Sequence, residues 1–188
     1  LGSNNVNALL NINKILKSAN IKKGYNRISY PNYQLLKQKT KEDGGITSCT
    51  FTFTERIDKI DFNKEKPEVF SRLGIGNSLH VISMVFDLIG MPKKMTSIQK
   101  GGFKWHKSGS IFVGSGITKK NIPFSYHADW ESSGRWGIEI MTKKNSYKLI
   151  PLEELYQRPK GTFEWTKIKI KNKFPNIKHG IPEQIVAM

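Results

Sequence analysis

NSLHVISMVFDLI, residues 77–89, is the stretch on which the fold turns. Leu79, Val81, Ile82, Val85, Phe86, Leu88 and Ile89 make it apolar nearly all round, and Gly90-Met91-Pro92 stops it as a helix. A helix with so little polar face must be buried, and the flanking sequence says against what. From Lys93 onward the chain reads as strand after strand. Candidates lie at residues 95–100, 110–114, 123–130, 136–142 and 146–151, separated by glycine pairs and polar clusters at hairpin-like distances. Residues 162–170 alternate Phe163, Trp165, Ile168 and Ile170 as a later strand.

Upstream, residues 46–55 (ITSCTFTFTE) alternate β-branched and aromatic side chains as one strand. Asp43-Gly44-Gly45 before them is a turn, and Pro31 opens a helix over residues 32–41 at a favoured first-turn position. Ser3-Asn4-Asn5 caps a helix over residues 6–16, and residues 21–26 make one short strand. Residues 56–72 are charged, irregular and Pro-containing, a long loop with one helical turn. The pattern predicts an α+β fold: an open, largely antiparallel sheet with helices on one face.

The 188 residues suffice for one domain, or one domain with a fragment of another. Cys49 is the single cysteine, which excludes an internal disulfide framework and a Cys-based zinc cluster; in a strand it reads as a small core hydrophobe. No apolar run approaches the length of a membrane span and no signal peptide is visible, so the default expectation is a cytoplasmic protein with no membrane partner. The net charge of +16 admits nucleic acid, an anionic membrane or an anionic small substrate. Against nucleic acid, the cations are mostly lysines, with only Arg27, Arg56, Arg72, Arg135 and Arg158 as arginines. An AT-rich genome, which favours Lys, Asn and Ile together, accounts for much of the excess. Residues 92–128 nevertheless hold seven lysines and no acidic residue, a face suited to an anionic ligand such as a nucleotide sugar.

Local motifs exclude more than they assign. Gly74-Ile75-Gly76 and Gly114-Ser115-Gly116 each lack the third glycine of a dinucleotide fingerprint, and the second is expected between strands. His80, His106, His127 and His179 show no i,i+4 pair for a helical metal site, and no metal site is expected. His80 interrupts the apolar helix, so it is either a satisfied structural histidine or a general acid/base. Phe103-Lys104-Trp105-His106-Lys107 is either a solvated hairpin tip anchored by its aromatics or a platform for stacking single-stranded bases.

The order of these elements resembles the Gfo/Idh/MocA oxidoreductases. Residues 22–27, Lys-Lys-Gly-Tyr-Asn-Arg, resemble the last Rossmann strand and its Gly-Tyr-Asn-Arg-Arg turn. Asn77-Ser78-Leu79-His80 followed by Asp87-Leu88-Ile89-Gly90 looks like the family's catalytic-His helix. Residues 129–136 resemble the hairpin in the middle of its sheet, and residues 178–184 the start of its late helix. The resemblance implies a remnant of the cofactor domain at residues 1–27 and a substrate and oligomerisation domain at residues 28–188. It places the family's Glu-Lys-Pro just before Leu1 and its Gly-rich loop further upstream, and makes residues 184–188 a helix cut off as it begins.

The activity implied is hydride transfer between NAD or NADP and a carbinol of a sugar, polyol or nucleotide sugar. His80 would be the acid/base, Asn77, Lys104 and His106 would contact substrate, and Tyr25, Asn26 and Arg27 would lie near the nicotinamide. Two departures stand out. Gly76 occupies the position, four before the His, where the family often has Asp, and Ile28 replaces the second Arg of the turn. Asn77 can orient the imidazole without supplying a charge, and Asp87 is about 10 Å along the axis from His80. Two further readings stand beside the enzyme: a non-catalytic module that forms a homo-oligomer through its open sheet, and a basic nucleic-acid-binding domain.

Overall fold

Alternation in the ITSCTFTF run produces β1 (Ile46–Phe53), whose Cys49, Phe51 and Phe53 point inward and are buried. The computed structural model describes residues 26–64, 66–106 and 108–170. The helix expected over residues 6–16, the strand over 21–26, the helix start at 178–184 and most of the cofactor-domain remnant lie outside them.

β1 is the centre of an eight-stranded sheet of order β2-β3-β4-β1-β5-β6-β7-β8. The others are β2 (Pro92–Lys100), β3 (Ile111–Thr118), β4 (Pro123–Asp129), β5 (Trp136–Thr142), β6 (Asn145–Leu149), β7 (Tyr156–Pro159) and β8 (Thr166–Lys167). Among the described residues only the β1–β4 pair is parallel; β1 runs antiparallel to β5, and each remaining neighbour is antiparallel too. The expected open, largely antiparallel sheet is therefore present. The meander read from Lys93 onward is not continuous, because β1 inserts between β4 and β5.

Two helices cover one face. α1 (Pro31–Glu42) buries Tyr33 and Leu36; a four-residue α2 (Pro67–Phe70) follows; α3 (Leu79–Ile89) buries Val81, Met84, Val85, Leu88 and Ile89. The Tyr33 hydroxyl donates to Asp87 Oδ2 at 2.6 Å, and Lys37 Nζ reaches the same carboxylate at 2.9 Å, clipping α1 to α3. Past α1, buried Asp43 accepts hydrogen bonds from Thr142, Asn145 and Tyr147, tying the helix end to the β5–β6 hairpin. A buried carboxylate is tolerated only with such partners. Gly44 and Gly45 beside it adopt φ of +89° and +104°, as the expected turn requires.

Three sequence expectations need correcting. Gly114 and Gly116 lie inside β3, not between strands, opposite Tyr126 and Phe124 of β4. A Cβ at Gly114 would run into the Tyr126 ring, and one at Gly116 would come within 2.8 Å of the Phe124 ring, so glycine makes room for aromatics of the next strand. Residues 162–170 form a ladder only at Thr166–Lys167; Trp165 instead packs under Lys148 Nζ at 4.5 Å and the Arg158 guanidinium at 4.4 Å. The helix expected from Asn77 opens with a π-turn, Gly74–Ser78, which puts Asn77 on the turn and His80 one residue into α3.

Candidate functional site

β1 leaves the sheet through Thr54, Glu55 and Arg56, and β5 enters it through Arg135 and Trp136. Between these ends, the π-turn carrying Asn77 and a short 3-10 segment (Asn26–Ser29) carrying Arg27 border an open cavity of about 560 Å³. Trp136 pairs with Phe53 in the β1–β5 ladder, so the sheet register itself sets the cavity's back wall. Among the described residues, no cluster of three or more His, Cys, Asp or Glu side chains could hold a metal ion.

His80 is half-buried against this wall, its ring 6.3 Å from that of Trp136. Burial, followed by the positive charge of Arg27, holds its pKa below the ordinary 6.5. At neutral pH the imidazole is therefore uncharged and able to accept a proton. Arg27 lies over the Trp136 ring at 5.0 Å and pairs with Glu153 at 3.0 Å.

Glu55 is the functional candidate that sequence reasoning missed. It is only 6% exposed. Its carboxylate accepts a hydrogen bond from Ser78 Oγ at 2.6 Å and from Trp136 Nε1 at 3.2 Å, and interacts with the Asn77 side chain. Burial raises its pKa, and these three donors partly offset the rise. Glu55 thus fastens the π-turn and Trp136, the two features that flank His80. A signal was available: Cys49, Phe51, Phe53 and Glu55 share one parity of the strand, and a carboxylate at an inward position must find partners.

The expected site residues divide. Arg27 and Asn77 line the cavity; His80 is not among its lining residues and stands behind Trp136, with ring centroids 6.3 Å apart. Tyr25 and the side chain of Asn26 lie outside the described residues. Lys104 and His106 do not border the cavity. His106 is buried, its Nδ1 2.8 Å from the Ser108 carbonyl and its ring 4.8 Å from that of Trp130. It packs beneath Gly74, at the start of the π-turn. Lys104 is exposed, between Phe103 and Trp105, whose rings stack on each other at 4.8 Å and 6°. Trp105 also meets Phe62 at 5.3 Å, so this segment is anchored by its aromatics.

No family model matches the sequence, and no curated protein does. The fold matches solved structures. Levoglucosan dehydrogenase in complex with NADH and L-sorbose superposes with a TM-score of 0.65 at 16% identity, over 87% of this chain and 53% of that one. A UDP-N-acetylglucosamine 3-dehydrogenase from Acidithiobacillus ferrooxidans gives 0.66 at 11%, over 92% and 54%. An NAD binding oxidoreductase from Klebsiella pneumoniae gives 0.65 at 12%, over 85% and 49%. The neighbours are thus two dehydrogenases, one with bound NADH, and an NAD binding oxidoreductase, and the sheet and helices described above match the fold of the Gfo/Idh/MocA C-terminal α/β domain. The chain spans about half the length of the structures it matches.

Proposed function

We propose that this chain, built on the Gfo/Idh/MocA C-terminal fold, is the substrate-binding half of an oxidoreductase acting on a carbinol of a sugar, polyol or nucleotide sugar. The observation that carries the reading is the half-buried His80, whose ring stands 6.3 Å from that of Trp136, a wall of the cavity. In this reading residues 1–27 belong to a cofactor domain and residues 28–188 to the substrate domain. The nicotinamide, when bound, accepts the hydride from carbon. His80 takes the hydroxyl proton, a step for which an imidazole with a pKa near or below neutrality is suited. Tyr25, Asn26 and Arg27 would face the nicotinamide end of NAD or NADP. Arg27 fits such a place, since it stands on the cavity wall with its guanidinium fixed by Glu153 and Trp136.

Asn77 borders the substrate space, and Glu55 acts as a positioning residue. Gly76 leaves the helix start without its usual carboxylate, and Glu55 brings one from β1 to the same turn through Ser78 and Asn77. Lys104 and His106 would meet only a substrate long enough to reach past the cavity. The test is NAD(P) reduction by the protein purified from its native cells, with a panel of sugars, polyols and nucleotide sugars. At least one is expected to support turnover; a panel-wide failure by protein shown to bind the cofactor would count against hydride transfer.

The uncovered face of the sheet supports a second role, self-association. Ile98 and Val113 are cross-strand partners that are 71% and 41% exposed. Beside them runs a row of small hydroxyl side chains, Thr96, Ser115, Ser125 and Thr50, in register across four strands. An exposed patch of this kind suits a second copy of the same sheet. Sedimentation is expected to show a dimer, and Ile98→Glu with Val113→Glu a monomer. A wild-type protein that stays monomeric at high concentration would rule the dimer out.

A further inference from the structure

We propose that the cavity takes a sugar bearing a phosphate or diphosphate ester, with the oxyanion seated on Arg56 and Arg135; this rests on the substrate-domain reading above. Four cations line the cavity, Arg27, Arg56, Lys59 and Arg135, against two carboxylates, Glu55 and Glu153. The internal pairings are uneven. Arg27 is matched by Glu153 at 3.0 Å. Glu55 is turned inward to Ser78 and Trp136. Lys59 stands 3.6 Å from Asp58. Glu154, whose charge Arg135 feels at longer range, is bound by Lys167 at 2.7 Å. Arg56 and Arg135 are thus the lining cations with no carboxylate within 4 Å among the described residues.

Both side chains are exposed, and each backbone carbonyl accepts one hydrogen bond. The Arg135 carbonyl accepts from Thr52 Oγ1 at 2.9 Å, and the Arg56 carbonyl accepts from the Lys59 amide at 3.1 Å. Planar guanidinium groups in such a setting match the oxygens of a phosphate in paired hydrogen bonds. Their position also says where the charge falls along the ligand. Arg56, but not Arg135, also lines a second cleft of about 660 Å³, together with Phe103, Trp130, Ser132, Ser133 and the carboxylates Asp58 and Glu131. Arg56 thus joins the cavity to a neighbouring cleft that carries two aromatic side chains, Phe103 and Trp130, and two carboxylates, Asp58 and Glu131. A carbinol on one side, a phosphate at the arginines and a second group beyond is the order the two spaces accommodate.

The test is calorimetric binding of three probes to the chain: glucose, glucose 1-phosphate and UDP-glucose. Both esters are expected to bind about tenfold or more tightly than glucose, the scale of a hydrogen bond to a charged group. Arg56→Gln with Arg135→Gln should abolish that preference. Lys93→Gln with Lys94→Gln, which removes the same charge from edge strand β2, should preserve it. Tighter binding of UDP-glucose than of glucose 1-phosphate would assign the seat to a diphosphate bridge, and equal binding to a terminal phosphate; both support it. Equal binding of glucose and its esters, or equal losses in the arginine and lysine variants, would overturn it. Turnover of neutral polyols without dependence on these arginines would remove the seat and leave hydride transfer standing. Arginine-dependent binding without turnover would do the reverse.

Discussion

His80→Ala is expected to lower substrate-dependent NAD(P) reduction by about 10²–10⁴-fold, the usual contribution of a positioned acid/base. The loss should fall on kcat, because the imidazole acts on the proton in flight rather than on the resting sugar. The pH profile separates this from damage to the cavity. Oxidation needs the neutral ring, and burial with the nearby Arg27 charge holds the His80 pKa below 6.5. Wild-type rates should therefore stay level through neutrality and decline only on the acid side of 6.5. Arg27→Gln removes the second cause and should move the inflection upward, toward 6.5. An alanine variant that keeps both its rate and the wild-type acid limb would dismiss His80 as the base.

Phe51→Ala is expected to cost about 3–5 kcal/mol of stability, a large share of the roughly 5–15 kcal/mol that holds a domain together. Phe51 sits in the central strand, and its ring is within 6.4 Å of those of Phe53, Phe86, Phe124 and Tyr126, which come from β1, α3 and β4. Truncation opens a cavity where sheet and helix meet, and rigid aromatic neighbours cannot all collapse into it. Phe163, 94% exposed, is the matched control: its alanine variant should stay within about 0.5 kcal/mol of wild type. Urea denaturation of both variants decides the matter. Similar midpoints for the two would mean that the aromatic cluster contributes far less than its burial implies.

Local periodicity carried most of the fold into the sequence. The run of Cys49, Phe51 and Phe53 shows its buried face by alternation alone, and α3 shows its burial by having almost no polar side. His80 was legible for the same reason, as a titratable group on an apolar helix. What escaped depends on residues far apart in the chain. Gly114 and Gly116 punctuate turns when read locally, and only the rings of Tyr126 and Phe124 opposite them explain why they lie within a strand. Trp165 continues an alternation, yet its faces go to Lys148 and Arg158, and the ladder there shrinks to two residues. Glu55 ended a strand on paper. Its role appears only when Ser78 and Trp136, 23 and 81 positions away, converge on its carboxylate.

The parallel pairing of β1 with β4 bears on how the protein is made. β1 contacts β4 across 75 residues and the start of β5 across 83. At about 5–20 residues per second, translation leaves β1 outside the ribosome for about 4–15 s before either neighbour exists. During that interval two aromatic side chains and both hydrogen-bonding edges of the strand are open to other nascent chains. Such long-range pairing also slows folding once the partners arrive. α3 emerges sooner and packs Phe86 against Phe51 of this strand, so a helix that looks like a lid in the finished molecule would act during synthesis as its first shelter.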